Sequence, residues 1–189
     1  MGNKVVIAVS GASGAIYARQ IFQKLQTLQH QWDAMSVVMS DNAKEVWKTE
    51  LGDTDYENMQ LQFYSRHDFN APFASGSAQY NIMIILPCSM GTLGRIAHGV
   101  SDDLVTRAAD VMLKEKRKLI LGIREMPYNL MHIKNMELVT LAGGIICPAS
   151  PSYYSRPKDM DALAATVTDR ILNLAGFELN SFKWGEKSI

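Results

Sequence analysis

The sequence is poor in cysteine, has no net charge and contains no long apolar run. Its two cysteines, Cys88 and Cys147, are too few for a disulfide framework and stand in no CxxC or His/Cys metal-ligand spacing, so a reducing, cytoplasmic compartment is expected. The 19 basic and 19 acidic residues cancel. This balance argues against a nucleic-acid partner, although a local basic pocket stays compatible with it. No apolar stretch approaches the roughly 18 residues that cross a bilayer, so no membrane partner is expected.

Short apolar runs alternate with helical patterns along the whole chain. The β-branched run at 5–9 is typical of a strand buried on both faces, and further strands are predicted at 35–39, 82–86, 118–123 and 144–147. Helical patterns lie between and after them, the last at 160–175. Strands that alternate with helices pair in parallel through right-handed crossovers. The prediction is a single α/β domain, a doubly wound parallel sheet in three layers, with strand order 3-2-1-4-5 or 2-1-3-4-5.

The ends of these strands are the expected ligand site, because open parallel sheets bind ligands at their carboxyl edge. Four of the five ends carry small hydroxyl-bearing or charged residues, which together suggest a site for an anion and a heterocycle. The turn from Gly11 to Gly14 lies between a strand and a helix, where backbone N–H groups and the helix dipole favour a phosphate. A plain strand-to-helix turn explains the same residues. Neither the P-loop nor GxGxxG is present, which argues against ATPase and NAD chemistry.

Single residues in these segments allow a structural and a functional interpretation. Cys88 is either a thiol nucleophile or a small apolar filler, and the second is commoner. Lys114 begins a basic run that is typical of a solvated helix end. Arg124 and Glu125 follow a buried strand, as an ion pair or as part of a site. Glu50 is expected to be exposed. The four histidines show no ligand spacing and are interpreted as structural or surface residues: His30, His67, His98 and His132.

Seven short motifs, taken in order, resemble those of the flavin prenyltransferases. They are SGASGA at 10–15, APFASGS at 71–77, PCSMGTL at 87–93, RAADV at 107–111, LKEKR at 113–117, REMP at 124–127 and PSYYSRP at 151–157. The likeness runs from residue 3 to residue 186, nearly the whole chain. It departs from the family at Ser155, where histidine is often found, while the neighbouring Tyr154 is retained.

The resemblance implies a flavodoxin-like fold with one flavin-binding domain over residues 1–189. It also implies a homo-oligomer, commonly a dodecamer, with the flavin held between subunits. The implied FMN contacts are Gly11, Ala12, Ser13, Ser40, Ser89, Met90, Gly91, Thr92 and Arg124. The implied contacts to dimethylallyl monophosphate are Lys114, Arg124, Tyr154 and Arg170. The implied catalytic residues are Ser13, Glu50, Lys114 and Glu125.

The family's reaction joins a dimethylallyl group to N5 of reduced FMN and then closes a ring onto C6, without a metal. For this chain it implies cations on the leaving phosphate and an aromatic shield for the allylic cation, with Phe69 or Phe73 as candidates. It also implies that Glu125, relayed through Ser13, removes the C6 proton. The product would serve a partner decarboxylase. Monophosphate and diphosphate donors are both compatible with these residues.

Two other functions fit the same fold. An FMN-dependent peptidyl-cysteine-type decarboxylase relies on a histidine in the first helix and on a PxMNxxMW stretch. Residues 15–29 contain no histidine, and residues 126–131 match that stretch only faintly. A non-catalytic flavodoxin-like FMN carrier is usually acidic, and a receiver module needs acidic strand ends. Ser10 and Ser40 occupy those ends here.

Overall fold

A single six-stranded parallel sheet organises the computed structural model, which describes residues 2–181 and 185. Its order is β3-β2-β1-β4-β5-β6. The strands are β1 (Asn3–Val9), β2 (Trp32–Met39), β3 (Gln62–Tyr64), β4 (Ile82–Cys88), β5 (Lys118–Ile123) and β6 (Ile145–Ile146). Among the five predicted strands this order is 2-1-3-4-5, so the doubly wound α/β prediction is confirmed and one of its two orders is selected. Trp184 and Glu186, where the motif likeness ends, lie outside the described residues.

The strand that the sequence did not predict, β3, lies at the sheet edge. It is three residues long and pairs with Ser36–Val38 of β2. Because an edge strand this short needs no continuous apolar run, its sequence carries no strand signal.

In the described part of the chain, six α-helices cover the two faces of the sheet. They are α1 (Ala15–Thr27), α2 (Asp41–Leu51), α3 (Met90–Ala97), α4 (Leu104–Lys114), α5 (Leu130–Leu141) and α6 (Met160–Ala175). Val5 and Ile7 share one core with α1, α2 and α6, whereas Val6 and Ala8 share the other with α3, α4, α5 and residues 71–80. Alternate residues of β1 therefore face opposite layers, as expected for a strand buried on both sides. No helix in the described part of the chain is long and apolar enough to span a membrane.

The sheet's switch point lies between β1 and β4, because the chain leaves β1 for one face and β4 for the other. Ser10 joins the two strand ends there. Its hydroxyl donates to the carbonyl oxygen of Pro87 (2.9 Å) and accepts from the amide of Ser89 (2.7 Å). One buried hydroxyl thus fixes the position of both loops at the edge where a ligand is expected.

Helix α5 leaves an unusual amount of apolar surface in solvent. Of its residues, only Asn135 and Val139 are buried. The α5 face is the set of large exposed apolar side chains on this helix: Leu130, Met131, Ile133, Leu138 and Leu141. The side-chain oxygen of Asn135 is buried and has no hydrogen-bond partner within the described residues. A surface of this composition is typical of a subunit interface.

Candidate active site

A cavity of about 880 Å³ opens at the carboxyl edge of the sheet. Its polar lining includes four residues that the sequence nominated: Ser13, Glu50, Arg124 and Glu125. Most of the remaining wall is apolar, from side chains such as Ile16, Leu51, Ile123, Met126 and Met160. Charged groups set in apolar walls act through a lower effective dielectric than charges in open water. The cavity therefore offers a ligand one cation, Arg124, and two carboxylates, Glu50 and Glu125, beside apolar walls.

The amino end of α1 is occupied by the protein's own carboxylate. Glu50, in the last turn of α2, accepts hydrogen bonds from the amides of Gly14 (2.9 Å) and Ala15 (2.8 Å). The partial positive charge of a helix start favours an anion there, and Glu50 supplies it. A ligand phosphate at the 11–14 turn would therefore have to bind beside Glu50 and not at those two amides.

The glycines of this turn are required by close packing. Gly14 has φ 113°, and a Cβ on it would lie 2.7 Å from the ring of Tyr17. A Cβ on Gly11 would lie 2.5 Å from Cβ of Asn42 at the start of α2. Side chains cannot approach that closely, so both residues let the turn sit tightly between α1 and α2.

The hydroxyls after β2 and β4 cap helices. Ser40 accepts from the amide of Ala43 (3.1 Å) at the start of α2. Ser89 accepts from the amide of Thr92 (3.3 Å), and the two hydroxyls lie 3.1 Å apart. These bonds satisfy helix amides that would otherwise lack partners. Met90 is buried in the core, whereas a Cβ on Gly91 would meet nothing within 4 Å, so the first turn of α3 borders open space.

Arg124 and Glu125 do not form the structural ion pair that the sequence allowed. The amide of Arg124 donates to the carbonyl of Cys88 (3.2 Å), which fixes the residue at the end of β5. Oε1 of Glu125 accepts from the amide of Met126 (3.0 Å). Within the described residues, neither side chain has an oppositely charged partner within 4 Å. Both charges are half-buried at the cavity wall and are available to a ligand.

Tyr154 and Arg170 line a second cavity, of about 760 Å³, between the segment after β6 and helix α6. Ser150 borders both cavities, so the segment that contains it forms the wall between them. Within one chain, the structure thus brings Tyr154 and Arg170 together and holds them on the far side of that wall from Arg124.

Lys114 lies at the opposite edge of the sheet. It is the last residue of α4, the helix that returns to the start of β5, and its Nζ pairs with Glu115 (3.0 Å). The six residues of β5 span roughly 20 Å between that edge and Arg124. Residues 71–77 lie near Lys114, because Arg117 donates to the carbonyl of Gly76 (2.8 Å). Within one chain, Lys114 therefore lines neither of the two cavities.

Comparison with known proteins places the chain in a family. The Flavoprotein family model matches residues 1–172. The flavin prenyltransferase UbiX of Methanocaldococcus jannaschii is 37% identical over 186 residues, which cover 96% of this chain and 98% of that one. The chain belongs to the flavin prenyltransferase family.

Two solved structures share its fold over nearly the full length. The crystal structure of AnUbiX (PadA1) in complex with FMN and dimethylallyl pyrophosphate has TM-score 0.88 and 33% identity, and covers 97% of this chain and 100% of that one. A dodecameric FMN-dependent UbiX-like decarboxylase from Escherichia coli O157:H7 has TM-score 0.91 and 34% identity, with the same coverage. The peptidyl-cysteine decarboxylase EpiD, at 19% identity and TM-score 0.62, shows a likeness of fold alone.

Two side chains that the sequence offered for chemistry are buried in the core. Burial raises the pKa of Cys88 to about 12, so its thiol stays protonated and unreactive at neutral pH. Phe73 is fully buried, with its ring 5.1 Å from that of Tyr64 and 5.6 Å from that of Tyr80. The expectation that Phe73 shields a substrate cation was wrong, because its ring is completely buried in the core and has no surface to present to a ligand. Phe69 is about half exposed but does not line the cavity.

Tyr17 is a cavity residue that sequence reasoning missed. It lies in the first turn of α1 and lines the cavity together with Arg124. Its pKa is raised mainly by burial, with Arg124 acting in the opposite direction. The available signal was its position three residues after Gly14, which directs the side chain back over the turn. Within the described residues, no group of three or more His, Cys, Asp or Glu side chains is placed to hold a metal.

Proposed function

We propose that this protein is a flavin prenyltransferase with one flavin-binding domain over residues 1–189. It transfers the dimethylallyl group of dimethylallyl phosphate to reduced FMN. The observation that carries the proposal is the cavity at the strand ends, which joins apolar walls to an arginine that has no acidic partner within 4 Å among the described residues. The full-length likeness to a named flavin prenyltransferase supports the same conclusion.

The carboxyl edge of the sheet fits FMN. The open space at Gly91 lets a ring approach the backbone of α3, and the residues expected to hold the flavin are Gly11, Ala12, Ser13, Ser40, Ser89, Met90, Gly91, Thr92 and Arg124. Because Ser40 and Ser89 accept amide N–H bonds as caps, their own hydroxyl hydrogens can donate to ligand oxygens. Bound reduced FMN supplies the nucleophilic N5 and the C6 carbon at which the new ring closes.

The charged residues of the cavity divide two tasks. Arg124 neutralises the phosphate as it departs, since a guanidinium binds phosphate oxygens in two parallel hydrogen bonds. Glu125 holds the proton that ring closure releases. Its Oε1 is engaged by the amide of Met126, so Oε2 is the oxygen that takes the proton, directly or through Ser13. Glu50 assists by holding the start of α1, and with it Ser13, in place. No step requires a metal.

A complete phosphate site needs more than one subunit. Lys114, the Tyr154–Arg170 pair and Arg124 lie at three separate places in one chain. If all of them contact one dimethylallyl phosphate, different copies must supply them. A homo-oligomer, a dodecamer like the Escherichia coli relative, can meet this requirement. We assign the exposed α5 face to an interface of that oligomer. The product passes to a partner decarboxylase in the cytoplasm.

A direct test combines the purified protein, reduced FMN and a prenyl donor without oxygen. The expected product is a flavin heavier by one dimethylallyl unit, with an altered absorbance spectrum after reoxidation. Monophosphate and diphosphate donors are run in parallel, and excess EDTA should leave the rate unchanged. Absence of the heavier flavin with both donors would refute the transferase. Release of CO2 from a peptide with carboxy-terminal cysteine, without any donor, would support the decarboxylase instead.

A further inference from the structure

Two aromatic rings line the cavity within the described residues, and they differ in position. Tyr17 lies in the first turn of α1, with its amide donating to the carbonyl of Gly14 (3.0 Å) and its ring packed over that glycine. Tyr128 lies in the loop before α5, is 41% exposed, and makes an edge-to-face contact with His132 at 6.5 Å. The charges of Arg124 and Glu50 both act on Tyr17.

Nearby charged groups shift the pKa of the Tyr17 phenol but leave it protonated. Its pKa is raised first by burial, and Tyr153 and Glu50 add to the rise, while the positive charge of Arg124 opposes it. The phenol is therefore neutral at physiological pH, and the ring keeps an electron-rich face. The ring packs directly on Gly14, because a Cβ at residue 14 would lie only 2.7 Å from it.

Prenyl transfer produces a reactive cation that the cavity must stabilise and protect from water. When the C–O bond of dimethylallyl phosphate breaks, its electron pair leaves with the phosphate and the five-carbon fragment becomes an allylic cation. Arg124 stabilises the phosphate but repels this cation. Water can also capture the fragment, giving dimethylallyl alcohol and a proton. An aromatic face that packs on Gly14 and is close enough to Arg124 to feel its charge meets both needs, since it attracts the cation and excludes water.

Taking the proposed function as given, we propose that Tyr17 is a substrate-contacting residue whose ring stabilises the allylic cation and shields it from water. The ring carries the effect and the hydroxyl does not. This assignment replaces Phe73, whose ring is enclosed in the core. It also distinguishes Tyr17 from Tyr128, which shares the cavity but lies at its exposed rim.

Two measurements test the assignment on Tyr17→Phe, Tyr17→Leu and the matched control Tyr128→Leu. The first is the ratio of free dimethylallyl alcohol to prenylated flavin per phosphate released. The second is a binding measurement made without flavin. It compares the affinity of the protein for a phosphorylated ammonium analogue of the dimethylallyl group with its affinity for the uncharged analogue of the same shape. Tyr17→Leu should raise the alcohol ratio and weaken ammonium binding about 10-fold while sparing the isostere. Tyr17→Phe and Tyr128→Leu should change neither.

Replacing Tyr17 by phenylalanines with increasing ring fluorination keeps the shape and removes electron density from the face. Stepwise loss of ammonium affinity along this series supports the proposal, even where Tyr17→Leu folds poorly. Equal weakening of both ligands, no change in either, or an alcohol ratio in Tyr17→Phe as high as in Tyr17→Leu would overturn it. Whether the wild-type protein forms prenylated flavin tests the proposed function independently. Failure of the Tyr17 assignment can therefore be distinguished from failure of the proposed function.

Discussion

Mixing two inactive variants tests whether the phosphate site is shared between subunits. Lys114→Ala removes the ammonium group at the amino edge of the sheet, and Arg124→Ala removes the guanidinium at the carboxyl edge. The two positions are separated by the length of β5, roughly 20 Å. A phosphate group is much smaller than that distance. Both cations can reach one phosphate only if two chains supply them.

The expected recovery follows from counting sites. In an oligomer mixed at random from equal amounts of the two variants, a site takes residue 114 from one chain and residue 124 from another. About one site in four then combines intact Lys114 with intact Arg124, so activity should return to about a quarter of the wild-type value. If one chain supplied both residues, every site would lack one of them and no activity would return.

The assay requires subunit exchange. The two variants are co-expressed with different affinity tags, mixed oligomers are isolated through both tags, and prenylated flavin is measured in a single turnover. The activity of each variant purified alone is the baseline. A mixed oligomer of Lys114→Ala and wild-type chains shows how much activity an oligomer retains when only one kind of chain is altered. A doubly tagged oligomer with no more activity than either variant alone would refute the shared site.

Three further predictions concern single carboxylates. Glu125→Gln should leave FMN affinity nearly intact and lower the single-turnover rate about 100-fold, whereas normal turnover would remove Glu125 from the mechanism. Glu50→Ala should cost about 1 kcal/mol by removing the acceptor for Gly14 and Ala15, and lower Tm by about 2–4 °C in a calorimeter; an unchanged Tm would contradict the cap. Burial opposes ionisation of Asp103, but hydrogen bonds from Thr106 and Arg95 outweigh it and hold the pKa below its usual value. Its charged form therefore stabilises the fold above about pH 4 and ceases to do so as pH falls further, so the difference in unfolding free energy between wild type and Asp103→Asn should shrink below about pH 4 in urea titrations. A difference that stays constant from about pH 3 to 7 would contradict this account.

The sequence predicts the parts of this molecule that depend on local pattern and topology. The apolar runs at 5–9 and 82–86 are strands because they are buried on both faces. Arg124 and Glu125 were nominated because they follow a strand, and the structure places them on a cavity wall. These predictions need no knowledge of distant contacts.

What the sequence does not predict depends on contacts between distant segments. Glu50 binds an amide 36 residues earlier in the chain, and nothing in its local sequence marks it as a cap. Phe73 looks like a loop residue, yet three-dimensional packing encloses it between two tyrosines. The separation of Arg124 from Arg170 depends on the path of the segment around Ser150, which no periodicity reports.

The α5 face has a consequence for how the protein behaves when it is scarce. A lone chain exposes this face, including Leu141 at 79%, to water. If a second copy covers the face, as proposed, dilution below the dissociation constant of the oligomer exposes this apolar surface to water. The same dilution separates the residues that form the phosphate site. Specific activity should therefore fall with dilution. A cell that makes too few chains would hold folded, aggregation-prone subunits but no working sites.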